Sequence, residues 1–262
     1  MYALIQNEIA KLWYRKSTLV FILLTFIFGF GFAYLSKRFE IVPGGADYFS
    51  TLGGQTSFIN LFIVIVASTI VATEFSQGTI KFLLIRPYSR TQIMLSKIIT
   101  TFVMAIVLSL LLFASSYLGT LVFFDNVDLL ANMSSTVSVS AMGLALRTIS
   151  ANLLLMIFYI MISVFISASF RSQALAVGLG TAILFSSSIL NAISTIVMQK
   201  YHWLRWNPFN TLNIKEAVLP KSAQFLDYQL SATEMIIALC CYIVLFYIIS
   251  QLVFNRRDVA LS

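Results

Sequence analysis

Long apolar runs separated by short polar stretches dominate the pattern of this chain. Each run is long enough to cross the roughly 30 Å hydrocarbon core of a bilayer as a helix. The runs are too long and too continuous to be the alternating strands of a membrane barrel. We therefore predict an all-α polytopic membrane protein, with six transmembrane helices at 18–35, 52–72, 93–124, 142–170, 174–198 and 232–254.

The polar stretches between these runs predict the remaining elements. Residues 1–17 combine an apolar stripe with a basic polar face, which is typical of an amphipathic helix lying in the headgroup region; a short solvated tail is the alternative. The stripe consists of Ile5, Ile9, Leu12 and Trp13. A loop containing Pro43-Gly44-Gly45 leads to the second span. Capping boxes at Ser89-x-x-Gln92 and Ser231-x-x-Glu234 predict the starts of the third and sixth helices.

Residues 73–92 form the most patterned polar stretch. Ile80, Leu83 and Leu84 share one helical face, and Pro87 must end that helix because the residue before a proline avoids helical geometry. This pattern predicts a short helix beneath the membrane, a turn, and then a long helix that rises into the bilayer.

Composition and charge distribution restrict the class of protein. Only 10% of the residues are charged and 59% are hydrophobic, whereas soluble domains carry roughly 25% charged residues. With the N-terminus inside, ten Lys and Arg residues lie on that side and seven on the other. This bias predicts that both termini are cytoplasmic. The net charge of +7 is therefore a topology signal, and we expect no nucleic-acid partner.

Catalytic motifs are not evident in the sequence. It contains no phosphate-binding loop, zinc-protease motif or nucleophile elbow, and the adjacent Cys240 and Cys241 predict neither a disulfide nor a metal pair. We therefore expect no catalytic residues, no metal site and no cofactor bound by this chain. No ionisable residue lies near the middle of a predicted span, which argues against coupling to an ion gradient. An ion-gradient-driven carrier or channel, or a membrane enzyme without a recognisable motif, stays open as an alternative.

The stretch 73–92 resembles the cytoplasmic loop of ABC-2 type transporter permeases. The residues that carry the resemblance are Glu74, Gly78, Thr79, Lys81, Leu83, Leu84, Arg86, Pro87, Ser89, Arg90 and Lys97. In that family the loop forms the coupling helix that docks on the ATPase subunit, and an ordinary basic loop is the alternative. The N-terminal Glu8-x-x-Lys11 is also similar to the family pattern. Over the rest of the chain the resemblance is weak and rests on the number of spans and on the residues that flank them.

The resemblance implies that residues 1–262 form a single ABC-2 type transmembrane domain. It implies an ATPase-coupling role for Glu74, Gly78, Thr79, Lys81, Leu83, Arg86, Pro87, Ser89 and Arg90. The charge bias predicts that residues 199–230 form an external loop. The resemblance implies short re-entrant helices there, and a structured outer loop with an aromatic belt at the interface is the alternative.

The function implied is that of the permease subunit of an exporter in the plasma membrane of a prokaryote. A separate ABC ATP-binding subunit would bind ATP and magnesium, and a second permease copy or a paralogue would complete the pathway within membrane lipid. The expected cargo is amphipathic or hydrophobic, such as an antimicrobial or other peptide or a drug, with antibiotic resistance as one physiological role. Mild polar residues inside the spans are candidates for the pathway, or else hold helices together. They are Asn60, Ser115, Ser116, Asn152, Ser186 and Asn191.

Overall fold

The computed structural model describes residues 1–53, 57–79, 87–125, 127–131, 139–170, 172–217 and 230–256. Within these ranges the regular structure is helical and no β-strand occurs. Six helical segments of the described chain are long and apolar enough to cross a membrane. The predicted all-α fold with six membrane-length helices is therefore confirmed.

The helices follow the apolar runs closely. Their bounds are α1 Tyr2–Trp13, α2 Lys16–Arg38, α3 Gly45–Leu52, α4 Ser57–Thr69, α5 Ala72–Ser76, α6 Arg90–Phe123, α7 Ala141–Ser169, α8 Gln173–Met198, α9 Pro208–Thr211, α10 Ile214–Ala217 and α11 Ala232–Arg256, with a 3₁₀ helix at His202–Trp206. Both predicted capping boxes are present. The Ser89 hydroxyl accepts from the Gln92 backbone N–H, and the Ser231 hydroxyl accepts from that of Glu234.

The second membrane-length segment, Gly45–Ser76, is built differently from the prediction. The residues from Gly45 onward were expected to be a loop, but Gly45–Leu52 is a separate helix, α3. Its aromatic side chains Tyr48 and Phe49 are fully buried, and they pack against residues of α2, α6 and α7. Tertiary burial of these two rings stabilises a helix in a stretch whose Pro and Gly residues suggested a turn.

Helices α4 and α7 form the centre of the bundle. Helix α4 packs against α6, α7 and α8, and α7 also packs along α11. On one side α2 lies against α6, where a Cβ added to Gly29 would clash with the side chain of Ser115. The absence of a side chain at Gly29 therefore allows these two helices to approach closely.

Candidate functional site

A buried group of charged side chains joins α1, α5 and α6 at one end of the bundle. The ammonium of Lys97, on α6, is 2.9 Å from Oε2 of Glu8 and 3.3 Å from Oε1 of Glu74. The Lys97 side chain is only 2% exposed. Residues from the first helix, from the start of the 73–92 stretch and from just after its end therefore meet at a single point.

Lys11 completes this group at its exposed edge, since 40% of its side chain is accessible. Its ammonium lies 3.0 Å from Oε1 of Glu8 and 3.0 Å from Oε1 of Glu74. Burial lowers the pKa of Lys11, but the two carboxylates outweigh that effect and hold the pKa above its ordinary value. We call Glu8, Lys11, Glu74 and Lys97 the charge cluster; its two cations and two anions balance.

The balance of the charge cluster has a structural consequence. Burying an isolated charge is costly, and removing one partner from a buried pair typically destabilises a protein by about 3–5 kcal/mol. Each carboxylate of the cluster contacts both ammonium groups. The four side chains therefore act as one unit that fixes the position of α1 relative to α5 and α6.

Ser167 organises the break between α4 and α5. Its hydroxyl oxygen accepts hydrogen bonds from the backbone N–H groups of Val71 and Ala72, at 3.1 and 2.9 Å. Helix starts leave such N–H groups without partners within the helix. A side chain of α7 thus supplies the acceptor that allows α5 to begin in a buried position.

The predicted coupling residues in the first half of the stretch lie in or just after α5 where the structure describes them. Glu74 is buried in the charge cluster, and Thr79 donates a hydrogen bond from its hydroxyl to Glu74 Oε2. Gly78 has φ +69°, a left-handed conformation that favours glycine, directly after α5. Lys81, Leu83 and Arg86 lie outside the described residues.

The second half of the predicted coupling stretch is tied to the last helix. Pro87 precedes the capping residue Ser89 and is exposed. The guanidinium of Arg90 donates to the backbone oxygens of Phe254 and Asn255, at 3.0 and 2.9 Å. These carbonyl groups end α11, where a cation is favourable. Arg90 thus joins the start of α6 to the end of α11.

The predicted pathway residues occupy different places in the bundle. Asn60 and Asn152 exchange two amide hydrogen bonds, at 3.2 and 3.0 Å, between α4 and α7. Asn60 and Asn191 line a cavity of about 610 Å³, and Ser186 lines a neighbouring cavity of about 400 Å³. Ser115 and Ser116 are buried beside Gly29, where α2 and α6 meet, and line neither of these two cavities.

Metal ligation is not indicated in the described part of the chain. No group of three or more His, Cys, Asp or Glu residues there could hold a metal ion. Cys240 and Cys241 are free thiols on the exposed side of α11.

Comparison with known proteins places the chain in a family. Residues 3–260 match the profile described as Protein of unknown function (DUF2705). The chain belongs to this family. It is similar to the Bacillus subtilis (strain 168) protein called "Uncharacterized protein YhcI", with 29% identity over 221 residues, 82% of this chain and 69% of the relative. It is also similar to "Uncharacterized membrane protein YdbK" of the same organism, with 28% identity over 268 residues, 95% of this chain and 99% of the relative.

In this DUF2705 member the charge cluster is the feature that sequence reasoning did not assemble. Glu8, Lys11 and Lys97 were each part of a recognised pattern, yet nothing in the sequence predicted that they converge on Glu74. One signal was available: Leu4, Glu8 and Leu12 follow each other at helical spacing, and these three are the buried residues of α1. A carboxylate on the buried stripe of a helix requires a buried cation.

Proposed function

We propose that this chain is the transmembrane subunit of an ABC-2 type exporter. It lies in the plasma membrane of a prokaryote with both termini in the cytoplasm, and α1 is an amphipathic interfacial helix. A separate subunit binds and hydrolyses ATP, and a second copy or a paralogue completes the pathway. The cargo is amphipathic or hydrophobic, such as a peptide or a drug.

The charge cluster is the observation that carries this proposal. A permease that is driven by a partner subunit needs a rigid platform. This platform transmits the conformational change of the partner to a membrane-spanning helix. The cluster joins α1, α5 and α6 through ion pairs of 2.9 to 3.3 Å, and it includes Glu74 from the stretch that resembles a coupling helix. A displacement of that stretch would then move α1, α5 and α6 together.

The length of α6 and the contacts at its start also support the proposal, because they suit a helix that transmits movement along the bundle. Its 34 residues span roughly 51 Å at 1.5 Å per residue, well beyond the roughly 30 Å hydrocarbon core. Arg90 joins its first turn to the end of α11, and Lys97 joins its second turn to the charge cluster. Movement at the start of α6 would therefore reach the other end of the bundle.

One observation favours a second candidate, an ion-gradient-driven carrier. Buried ionisable residues in membrane helices often form proton or ion pathways, and Glu8, Glu74 and Lys97 are buried. The cluster is, however, balanced, and its lysine from a membrane-length helix, Lys97, lies in the second turn of α6 and not near the middle of that helix. A static ion-pair joint accounts for these properties without a transported ion.

Co-purification tests the proposal directly. We expect the affinity-tagged full chain, purified from its native cells, to retain an ATP-binding subunit in stoichiometric amount. Arg86→Ala should weaken that association and reduce cargo-stimulated ATP hydrolysis. Arg38→Ala is the matched control, because Arg38 ends α2 on the opposite side of the proposed topology and should behave as the native chain does.

A second arm separates the two candidates. The purified chain alone, in liposomes with an imposed proton or sodium gradient, should accumulate no cargo. Gradient-driven accumulation by the isolated chain, with no ATP-binding subunit retained from cells, would establish the carrier and overturn the exporter.

A further inference from the structure

Two cavities of different character adjoin within the bundle. The larger, of about 610 Å³, lies between α4, α7, α8 and α10, and the smaller, of about 400 Å³, lies between α7, α8, α9 and α11. Tyr159 and Ser187 line both cavities. The Tyr159 hydroxyl donates to Ser187 Oγ at 3.4 Å, so one weak hydrogen bond spans the boundary.

The larger cavity has hydrogen-bonding capacity to spare. Asn191 and Asn213 exchange two amide hydrogen bonds at 2.6 and 3.0 Å, and Asn60 is paired in the same way with Asn152. A carboxamide has two N–H donors, and its oxygen accepts two hydrogen bonds. Each reciprocal pair therefore leaves a donor and an acceptor on every amide, and Asn60, Asn191 and Asn213 line the cavity.

A cation lies at the same cavity. Lys215, on α10, is half-buried, and its ammonium is 3.5 Å from the Ser57 hydroxyl, a long contact. Within the described part of the chain it forms no ion pair with a carboxylate, and burial lowers its pKa to about 8. The neighbouring Glu216 is exposed and also lines the cavity, where it can accept from a hydroxyl or amine of a ligand.

The smaller cavity is almost entirely hydrocarbon. Phe158, Ile162, Phe165, Phe209 and Phe246 contribute to its wall. An aliphatic chain suits this wall, because it carries no polar group that would need a hydrogen-bond partner there. The two cavities together therefore offer an apolar compartment beside a hydrogen-bonding one that contains a cation.

We propose that the joined cavities bind an amphipath, with an anionic head at Lys215 and the asparagine amides and an aliphatic tail in the apolar compartment. This inference rests on the proposed function and deepens it by naming the chemistry of the cargo. The head chemistry is a phosphate or carboxylate that also carries hydroxyl or amine groups. Separation of Tyr159 from Ser187 would join the two compartments for such a ligand.

Native mass spectrometry of the purified full chain, without an ATPase, tests this site. The probes are palmitoyl-oleoyl phosphatidylglycerol, the matched diacylglycerol and glycerol 3-phosphate, titrated separately. We expect one phosphatidylglycerol to bind specifically and each of the other two to bind at least about tenfold more weakly, a difference of roughly 1.4 kcal/mol. No ATPase is present in this experiment, so a failure to bind phosphatidylglycerol would not contradict the exporter proposal. Likewise, a failure to co-purify an ATPase would not contradict the binding site.

Variants of the two compartments sharpen the test. Lys215→Gln and Ala182→Leu should each weaken phosphatidylglycerol binding about tenfold, since Ala182 lines the apolar cavity. Lys200→Gln and Ala174→Leu are matched controls that line neither cavity. Lys215→Arg, which keeps the charge, should bind as the native chain does, which separates loss of charge from misfolding.

Three results would overturn the assignment. Unchanged phosphatidylglycerol binding by Lys215→Gln would mean that the lipid is held non-specifically around the bundle. Equal binding of diacylglycerol would mean that the site does not recognise an anionic head. Equal binding of glycerol 3-phosphate would mean that a free phosphate compound binds and that the apolar cavity takes no tail.

Discussion

The ammonium of Lys97 lies 2.9 Å from a carboxylate oxygen of Glu8, although 89 positions separate the two residues in the chain. This contact ties the first helix to the third membrane-length helix in a region from which water is excluded. Since Lys97 also contacts Glu74, a single side chain neutralises parts of two carboxylates. The contact makes the charge cluster the first target for mutation.

Lys97→Met should destabilise the protein strongly. Methionine fills a similar volume but leaves Glu8 and Glu74 with one cation between them, and breaking a buried pair in this way typically costs about 3–5 kcal/mol. Unfolding of the purified chain with increasing temperature or dodecyl sulfate measures the loss. Lys37→Met is the control, because Lys37 is half exposed and lies 3.9 Å from the exposed Asp125, a pair worth about 0–1 kcal/mol. Equal stability of the two variants would contradict the assigned role of the cluster.

Ser167→Ala should loosen the junction of α4 and α5. The change removes the acceptor of two buried backbone N–H groups, and leaving one such group unsatisfied costs about 1–3 kcal/mol. Hydrogen exchange at Val71 and Ala72 should accelerate together with the loss of stability. Ser169→Ala, at an exposed hydroxyl that bonds within α7, should change neither quantity. Unchanged exchange in Ser167→Ala would refute this role for the hydroxyl.

The Asn60–Asn152 pair predicts a positive coupling energy in a double-mutant cycle. Asn152→Leu leaves the Asn60 amide without its partner, whereas Asn60→Leu combined with Asn152→Leu removes both polar groups. We expect a coupling of about 0.6 kcal/mol, and at most about 1.7 kcal/mol, as for other pairs within membranes. Unfolding in dodecyl sulfate measures all four proteins, and strictly additive effects would show that the two amides do not interact.

The proposed orientation predicts which introduced cysteines react in intact cells. Cys240 and Cys241 are exposed thiols and must first be replaced by alanine. An impermeant thiol reagent should then label Ser222→Cys, in the segment 199–230 that is proposed to be external, and should leave Ser262→Cys unlabelled until the cells are opened. The reverse pattern would invert the topology.

Lys215 predicts a rise in stability at alkaline pH. Burial holds its pKa at about 8 in the folded chain, against 10.5 for the free side chain, so the unfolded chain binds more protons between these values. The stability of the folded chain should therefore increase as pH rises from about 8 to 10.5, because the buried Lys215 loses its charge and burial no longer costs free energy. Lys215→Met should remove this part of the pH dependence, and Lys200→Met should retain it. Identical profiles of stability against pH for the native chain and Lys215→Met would contradict this role of Lys215.

The sequence by itself determined the secondary structure well. Six long apolar runs predicted six membrane-length helices, because a backbone in lipid must satisfy its own hydrogen bonds. The short motifs at Ser89 and Ser231 predicted two helix starts, since capping depends on residues only three positions apart. Such features are local, so neighbouring residues were sufficient to predict them.

Only the tertiary structure decided which residues meet. Helix α3 forms because Tyr48 and Phe49 are buried by other helices, and Arg90 is drawn to α11 by carbonyl groups more than 160 positions away. The charge cluster depends on the relative rotation of α1, α5 and α6, which hydrophobic spacing leaves undetermined. Charges placed at the polar ends of helices look alike in sequence, whether they face water or one another. Packing distinguishes them, because an ion buried without a partner would be too costly to retain.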